Sequence, residues 1–249
     1  MQIKFWFSKV IKFCFLLVLS INTAVFAQGV LKVGTSADYP PFSFIDNGQY
    51  VGFDIDLIRE ISKRLNYTVE ITDMPFKTLL PAIQAGAIDV IASGLSETEE
   101  RAKQVLFLPP HLTGGVLVIL TKGHVITKGV ADLKGKEVIV NDGFTAAQYM
   151  QAFPEVHLQY LKSTAEALAA LNANRAFAFV TSKNALSDFF KHYPQSSDFN
   201  VFPIEGTGEE ASLAVSKHNT KLFEEAKRVL LEMQQDGSIE QLKRKWGVF

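Results

Sequence analysis

The chain has 249 residues, with 25 basic and 26 acidic side chains and a formal net charge of −1. This balance gives no support for nucleic-acid binding, which requires a basic face. The single cysteine, Cys14, excludes a disulfide within the chain.

Residues 1–27 have the pattern of a secretory signal peptide. They carry three lysines and no acid, with an apolar run at 13–21 and small residues at 25–27 before a predicted cleavage at Gln28. The apolar run ends before the about 20 residues that a membrane-spanning helix needs. Cys14 lies inside this segment, in a context that does not resemble a lipoprotein processing site. We therefore expect a soluble periplasmic protein.

Cleavage of this signal would remove three lysines from the chain. The remaining 22 basic residues then face 26 acidic ones, which gives a net charge of −4.

Short apolar runs alternate with helical patterns along the rest of the chain. The runs predict strands at Leu31–Thr35, Val69–Ile71, Val90–Ala92, Val116–Leu120, Val138–Val140, Leu158–Leu161, Phe177–Val180 and Ser212–Val215. Alternation of strands and helices is typical of an α/β fold built on parallel sheets.

The helices between these strands are predicted by their apolar stripes and by a cap. One stripe contains Leu57, Ile58, Ile61 and Leu65, and another is centred on Leu79 and Ile83. The sequence Ser163-x-x-Glu166 is a capping box that begins an alanine-rich helix to Asn172. A long C-terminal helix is predicted by the apolar series Leu222, Phe223, Ala226, Val229, Leu230 and Met233.

The segment 93–101 (SGLSETEER) follows the predicted strand Val90–Ala92 and contains the pattern Ser96-x-x-Glu99. This pattern predicts a capped helix, and the unpaired N–H groups at a helix start favour an anion. The hydroxyls of Ser93 and Ser96 and the guanidinium of Arg101 add donors that suit a small carboxylate. A capped surface helix with a solvated arginine would show the same pattern.

Segment 93–101 also resembles the carboxylate-binding turn of bacterial periplasmic amino-acid-binding proteins, solute-binding protein family 3. The resemblance extends over nearly the whole chain after the signal. It includes residues 33–42 (VGTSADYPPF), 51–57 (VGFDIDL), 133–145 (LKGKEVIVNDGFT) and 236–247 (DGSIEQLKRKWG). Several ordered motifs at family spacing are far more specific than any one of them.

The resemblance implies a type II periplasmic-binding-protein fold, with a ligand cleft between two lobes joined by two crossings. Lobe 1 would be discontinuous, with residues 28–113 and 208–249, and lobe 2 would hold residues 114–207. Glycine-rich stretches at His111–Gly115 and Gly206–Gly208 suit the two crossings. Two ordinary surface loops are the alternative interpretation.

Two aromatic residues correspond to family positions that sandwich the side chain of the ligand. Tyr39 precedes Pro40-Pro41, which predicts an extended loop outside the sheet, and Phe76 follows Pro75 at a helix start. An isolated aromatic residue is more often part of a core. With the resemblance, both are predicted to contact the ligand.

The chain departs from the family where the α-ammonium group of the ligand is usually bound. Ser182 occupies the position of the family's aspartate, and a serine supplies no compensating charge. Asp38, Asn141 and Asp142 are the candidate replacements. The predicted ligand-binding residues are Asp38, Tyr39, Phe76, Ser93, Gly94, Ser96, Arg101, Asn141, Thr145 and Ser182.

The resemblance implies a monomeric binding protein that captures an amino acid for a membrane ABC transporter permease. The aromatic pair favours a basic or large polar side chain. The five histidines are scattered, and no hydrolase, phosphate-loop or dinucleotide motif follows a strand, so we expect no catalytic residue, cofactor or metal. The alternatives are a receptor for a non-amino carboxylate, an enzyme similar to cyclohexadienyl dehydratase, and a sensory domain that docks on a receptor.

Overall fold

A computed structural model describes residues 29–192 and 197–248. The predicted signal peptide, Cys14 and the cleavage position at Gln28 lie outside these ranges. Within them, no helix has the length and apolar character needed to cross a membrane.

The strands include all eight that the sequence predicts, and several shorter ones. Six of the eight are longer than predicted, whereas the strands predicted from Val116 and Phe177 each begin one residue later and end two residues later. They are β1 Gly29–Thr35, β2 Asp38–Tyr39, β3 Ser43–Asp46, β4 Gln49–Val51, β5 Tyr67–Asp73, β6 Val90–Leu95, β7 Val105–Phe107, β8 Leu112–Gly115, β9 Leu117–Lys122, β10 Glu137–Asn141, β11 His157–Leu161, β12 Ala178–Ser182, β13 Phe199–Pro203 and β14 Glu209–Ser216. The α-helices are Phe53–Arg64, Leu79–Gln84, Glu99–Ala102, Thr145–Met150, Thr164–Asn172, Ser187–His192, Thr220–Gln235 and Ser238–Trp246. Short 3₁₀ helices cover Phe76–Thr78, Gly129–Leu133 and Lys183–Leu186.

The strands form two large sheets and one small one. The first sheet has the order β5-β1-β6-β14-β7, with β8 paired to β14, and the second has the order β11-β10-β12-β9-β13. The sheets are mixed: the parallel strands that the sequence predicts form one part of each large sheet, and antiparallel strands complete it. Strands β5, β1 and β6 are parallel, as are β11, β10 and β12, whereas β14, β9 and β13 pair antiparallel. Neither β9 nor β14 is reached through the crossover helix that parallel pairing requires.

The small third sheet corrects the prediction for Tyr39. Strands β2, β3 and β4 pair in order, and Tyr39 lies opposite Ser43 across a tight turn. The two prolines therefore form a hairpin turn and not an extended loop. This turn fixes the Tyr39 ring against Phe42, with the ring centroids 5.2 Å apart.

Each large sheet has its own apolar core. The predicted helical stripes are confirmed, since Leu57, Ile58 and Ile61 are buried against the first sheet. The second sheet is covered on both faces by separate apolar clusters. The predicted cap is also confirmed, because the Ser163 side chain accepts a hydrogen bond from the Glu166 N–H group.

The two chain segments that connect the sheets lie side by side. Strand β8 follows the first sheet and β14 returns from the second, and they pair antiparallel with Gly115 opposite Glu209 and Leu112 opposite Ala211. Their pairing brings Glu209, at the start of β14, to the space between the two sheets. The predicted glycine-rich crossing at His111–Gly115 coincides with this pair.

Candidate functional site

A closed cleft lies between the two large sheets. Residues from both sides line it: Tyr39, Phe76, Gly94, Ser96, Arg101, Phe144, Thr145, Ser182 and Glu209. A second, adjoining cavity shares several of these residues and reaches Asn184 and Glu210. Each has a volume of about 10 Å³, which is about the space of one water molecule. A ligand larger than water therefore requires the two sides to move apart.

The helix that carries Arg101 begins later than predicted. It spans Glu99–Ala102, and its cap is Thr98, whose hydroxyl accepts a hydrogen bond from the Arg101 N–H group at 3.2 Å. The capping box at Ser96 is therefore wrong, because β6 continues to Leu95 and the chain enters the helix only after Thr98, whose backbone is extended. A helix of one turn has a small dipole, so the Arg101 side chain is the main anion-binding group here.

The Arg101 guanidinium is held rigidly inside the cleft. The residue is only 2% exposed, and its Nη1 and Nη2 groups donate to the carbonyls of Ser96 and Gly143 at 2.7 and 2.9 Å. Burial lowers the pKa of Arg101 to about 10, against the opposing effect of Glu209, so the group stays charged at neutral pH. A guanidinium has five donors, and these carbonyls use two of them, so donors remain for a carboxylate.

Aromatic rings form the walls beside Arg101. The guanidinium lies 5.7 Å from the centre of the Phe76 ring. Phe144, from the second sheet's side, lies with its ring centroid 4.6 Å from Phe76 and 5.6 Å from Tyr39. Sequence reasoning missed Phe144, although its place between Gly143 and the predicted site residue Thr145 was a usable signal. The predicted aromatic pair thus becomes a cluster of three.

Gly94 joins the cleft to the buried side chains of Asp54 and His111 behind it. Its φ of 59° and the Tyr39 ring beside it exclude a side chain, since an added Cβ would lie 2.5 Å from Tyr39 Cε1. Its N–H group donates a short hydrogen bond to the Asp54 carboxylate. The other oxygen of Asp54 lies 3.0 Å from Nε2 of His111, at the start of the first crossing, and both side chains are fully buried.

Glu209 is a buried carboxylate in the cleft that sequence reasoning missed. It is 7% exposed and accepts a short hydrogen bond from the Thr145 hydroxyl. Burial first, and then the Glu209 charge, raise the pKa of Tyr39, while a hydrogen bond between Tyr39 and Ser182 opposes them. The position of Glu209 directly after the predicted crossing Gly206–Gly208 was the available signal.

The structure does not bring every predicted site residue into the cleft. Tyr39, Phe76, Gly94, Ser96, Arg101, Thr145 and Ser182 line it, whereas Asp38, Ser93 and Asn141 do not.

These three residues form hydrogen bonds with other residues instead. Asp38 accepts a hydrogen bond from the Ser36 hydroxyl at 2.7 Å, and burial raises its pKa. The Ser93 hydroxyl accepts from the Ser36 N–H group. The Asn141 amide bonds to the Leu161 carbonyl and to Thr164. A direct ligand contact for them stays a prediction.

The rim of the cleft carries an ion pair between its two sides. Lys77, beside the Phe76 wall, lies with its Nζ atom 2.6 Å from an oxygen of Asp142. Both side chains are partly exposed, so the pair adds at most about 1 kcal/mol to closure. In the described part of the chain, no group of three acidic or histidine side chains is arranged to hold a metal ion.

Comparison with known proteins gives consistent matches along the chain. Residues 31–249 match the family of bacterial extracellular solute-binding proteins, family 3. The arginine-binding extracellular protein ArtP of Bacillus subtilis is 30% identical over 221 residues, covering 87% of this chain and 85% of its own. A probable histidine-binding protein of Campylobacter jejuni is 31% identical over 217 residues, covering 87% and 84%.

Solved structures agree with these sequence matches. An ancestral arginine-binding protein bound to arginine superposes with a TM-score of 0.82 at 37% identity, covering 88% of this chain and 99% of its own. The ancestral amino acid-binding protein AncCDT-1, a precursor of cyclohexadienyl dehydratase, superposes with a TM-score of 0.78 at 34% identity, covering 88% and 95%.

Proposed function

The chain belongs to the bacterial extracellular solute-binding proteins, family 3, and has their two-lobe α/β fold; on this basis we propose that it captures an amino acid in its cleft. The buried guanidinium of Arg101 carries this proposal. A charged group at 2% exposure is costly unless paired, and here carbonyl oxygens satisfy only part of its donors. The carboxylate of an amino acid supplies both the missing charge and a bidentate acceptor.

We propose that the lobes have the boundaries expected from the sequence, 28–113 with 208–249 and 114–207. The two large sheets support this division, because the first is built from β1, β5–β8 and β14 and the second from β9–β13. The paired segments β8 and β14 would act as the hinge.

The ligand we propose is an amino acid with a basic or large polar side chain. Relatives are named as arginine-binding and histidine-binding proteins, and an ancestral relative was solved with arginine and with glutamine. The aromatic cluster of Tyr39, Phe76 and Phe144 supports this choice. A cationic side chain gains about 0.5–2 kcal/mol over such ring faces.

Closure of the lobes is the proposed mechanism of capture. Arg101 on one side contacts the Gly143 carbonyl on the other, and Phe76 contacts Phe144 in the same way. A ligand that touches both sides binds the closed state more tightly than the open one and so shifts the population toward it. The closed form is the one that a membrane ABC transporter would recognise.

The setting we propose is the periplasm, reached through the signal peptide at 1–27, with the protein acting as a monomer. Its partners would be the amino acid and a membrane permease, with no nucleic acid. A sensory domain that docks on a receptor would use the same cleft, and it would differ in which membrane protein binds the closed form.

An enzymatic role has less support than binding. The cited relatives are named as binding proteins, and the neighbour related to cyclohexadienyl dehydratase is itself described as an amino acid-binding protein. Of the cleft carboxyl groups, only Glu209 is buried beside a hydroxyl, and an acid–base reaction requires a positioned acid and a positioned base.

A thermal-shift screen of the chain from Gln28 onward against the twenty amino acids tests this function. Ligand at about 100 times its dissociation constant stabilises the folded state by roughly 2.7 kcal/mol, which is readily detected. We expect a clear rise in melting temperature with at least one basic or amide amino acid. No shift with any of the twenty would contradict the proposal.

The aromatic walls give a second prediction. Tyr39→Ala and Phe76→Ala should each weaken binding of a basic amino acid by about 2- to 30-fold, the equivalent of the ~0.5–2 kcal/mol of one cation–π contact. Binding of a small amino acid should change less. Calorimetry measures both, with Phe44→Ala as the control, because Phe44 packs on Trp246 outside the cleft. Equal losses for large and small ligands would show that the rings support only the fold.

A further inference from the structure

We propose that Glu209 binds the α-ammonium group of the ligand, so that the cleft selects zwitterionic amino acids over simple carboxylates. The inference rests on the proposed function and adds the second charged partner of the amino acid. It assigns the ammonium site to the crossing segment β14 and not to Ser182 at the end of β12.

The first support is the position of Glu209. It starts β14 opposite Gly115, and it lines both cavities of the cleft. Arg101 lines the first of these cavities together with Glu209, and the Glu209 charge acts on the guanidinium. An α-amino acid carries its ammonium and carboxylate groups on the same carbon. Its two partners must therefore have opposite charges and face one small space, as Glu209 and Arg101 do.

The second support is the free energy that burial of the Glu209 carboxylate costs. A carboxylate that is only 7% exposed needs a compensating cation or several hydrogen bonds. Within the described ranges the Thr145 hydroxyl donates to it, and Arg101 acts on it across the cleft without forming a direct ion pair. A ligand ammonium in the cleft would supply both the positive charge and three donors.

The other acidic candidates are placed less well. Asp142 lies on the rim and is already paired with Lys77 at 2.6 Å. Asp38 lies outside the cleft lining and accepts a hydrogen bond from Ser36. Ser182 lines the cleft but has no charge. Glu209 is thus the carboxylate that combines burial with access to the ligand.

The test compares three amino acids with their deaminated forms by calorimetry. The probes are L-arginine, L-histidine and L-glutamine, each against the analogue in which hydrogen replaces the α-amino group. Wild type should prefer at least one amino form by roughly 10- to 150-fold, the range of one charge-assisted hydrogen bond. Glu209→Gln should lose this preference while still binding the deaminated analogue, which shows that the variant is folded and its Arg101 site intact.

Two further variants test whether the carboxylate in the cleft is what produces the preference. Glu205→Gln removes the same charge from an exposed residue of the preceding loop and should leave the preference unchanged. Ser182→Asp added to Glu209→Gln returns a carboxylate to the same cavity and should restore the preference for the amino form.

Each contrary outcome has a distinct meaning. If Glu209→Gln keeps the wild-type preference, or loses both forms together, Glu209 does not bind the ammonium group. If wild type prefers the deaminated acids, the ammonium site itself is refuted while carboxylate binding stands. If wild type binds neither member of any pair, the proposed function fails first.

Discussion

Arg101→Ala is expected to abolish amino-acid binding. The variant removes two charge-assisted hydrogen bonds, worth about 1.5–3 kcal/mol each, so affinity should fall by about 10²- to 10⁴-fold. The reason is that the ligand carboxylate would be buried in the closed cleft without a partner, since Arg101 is the cationic residue among those that line it. Calorimetric titration with the amino acid that most stabilises wild type measures the loss.

The control for this variant is Arg59→Ala. Arg59 lies on the helix Phe53–Arg64, with its side chain 45% exposed, and it is absent from the cleft lining. It should bind the amino acid as wild type does. An affinity of Arg101→Ala within threefold of wild type would show that the carboxylate is held elsewhere.

Asp54→Ala is expected to lower the free energy of unfolding more than any of the other single substitutions. Asp54 is fully buried, accepts the Gly94 N–H group, and lies 3.0 Å from His111. Removing the Asp54 carboxylate costs about 1–3 kcal/mol for each partner that stays buried and unsatisfied. Chemical denaturation should show this drop in the free energy of unfolding.

The matched control is Asp46→Ala, which removes the same side chain from an exposed position at the end of β3. Its free energy of unfolding should change by no more than about 0.5 kcal/mol. A loss below 1 kcal/mol for Asp54→Ala would mean that the Asp54–His111 contact and the Gly94 turn are not coupled to the stability of the fold.

The local parts of this structure could be predicted from the sequence because short-range patterns determine them. The stripe of Leu57, Ile58 and Ile61 has the period of a helix with one buried face. Ser163 caps its helix because the hydroxyl reaches an N–H group three residues on. The same rule failed at Ser96, since Ser96 directly follows the end of β6 at Leu95 and Thr98 caps the helix instead.

The site was only partly predictable because it is assembled from distant segments. Arg101 and Phe76 each correspond to a family position that can be recognised from the adjacent sequence, so both could be predicted. Glu209 and Thr145 are 64 residues apart and meet only because β8 and β14 pair where the chain passes between the two large sheets. Asp38, in contrast, looked suitable by position, but the Ser36 hydroxyl beside it satisfies its carboxylate.

A crystal structure with bound amino acid tests the central claim most directly. The chain from Gln28 onward would be crystallised with the amino acid that gives the largest rise in melting temperature. We expect its carboxylate about 2.7–2.9 Å from the Arg101 guanidinium and its ammonium at a similar distance from Glu209, with the side chain against the aromatic cluster. A ligand outside the cleft, or one whose carboxylate points away from Arg101, would contradict the account.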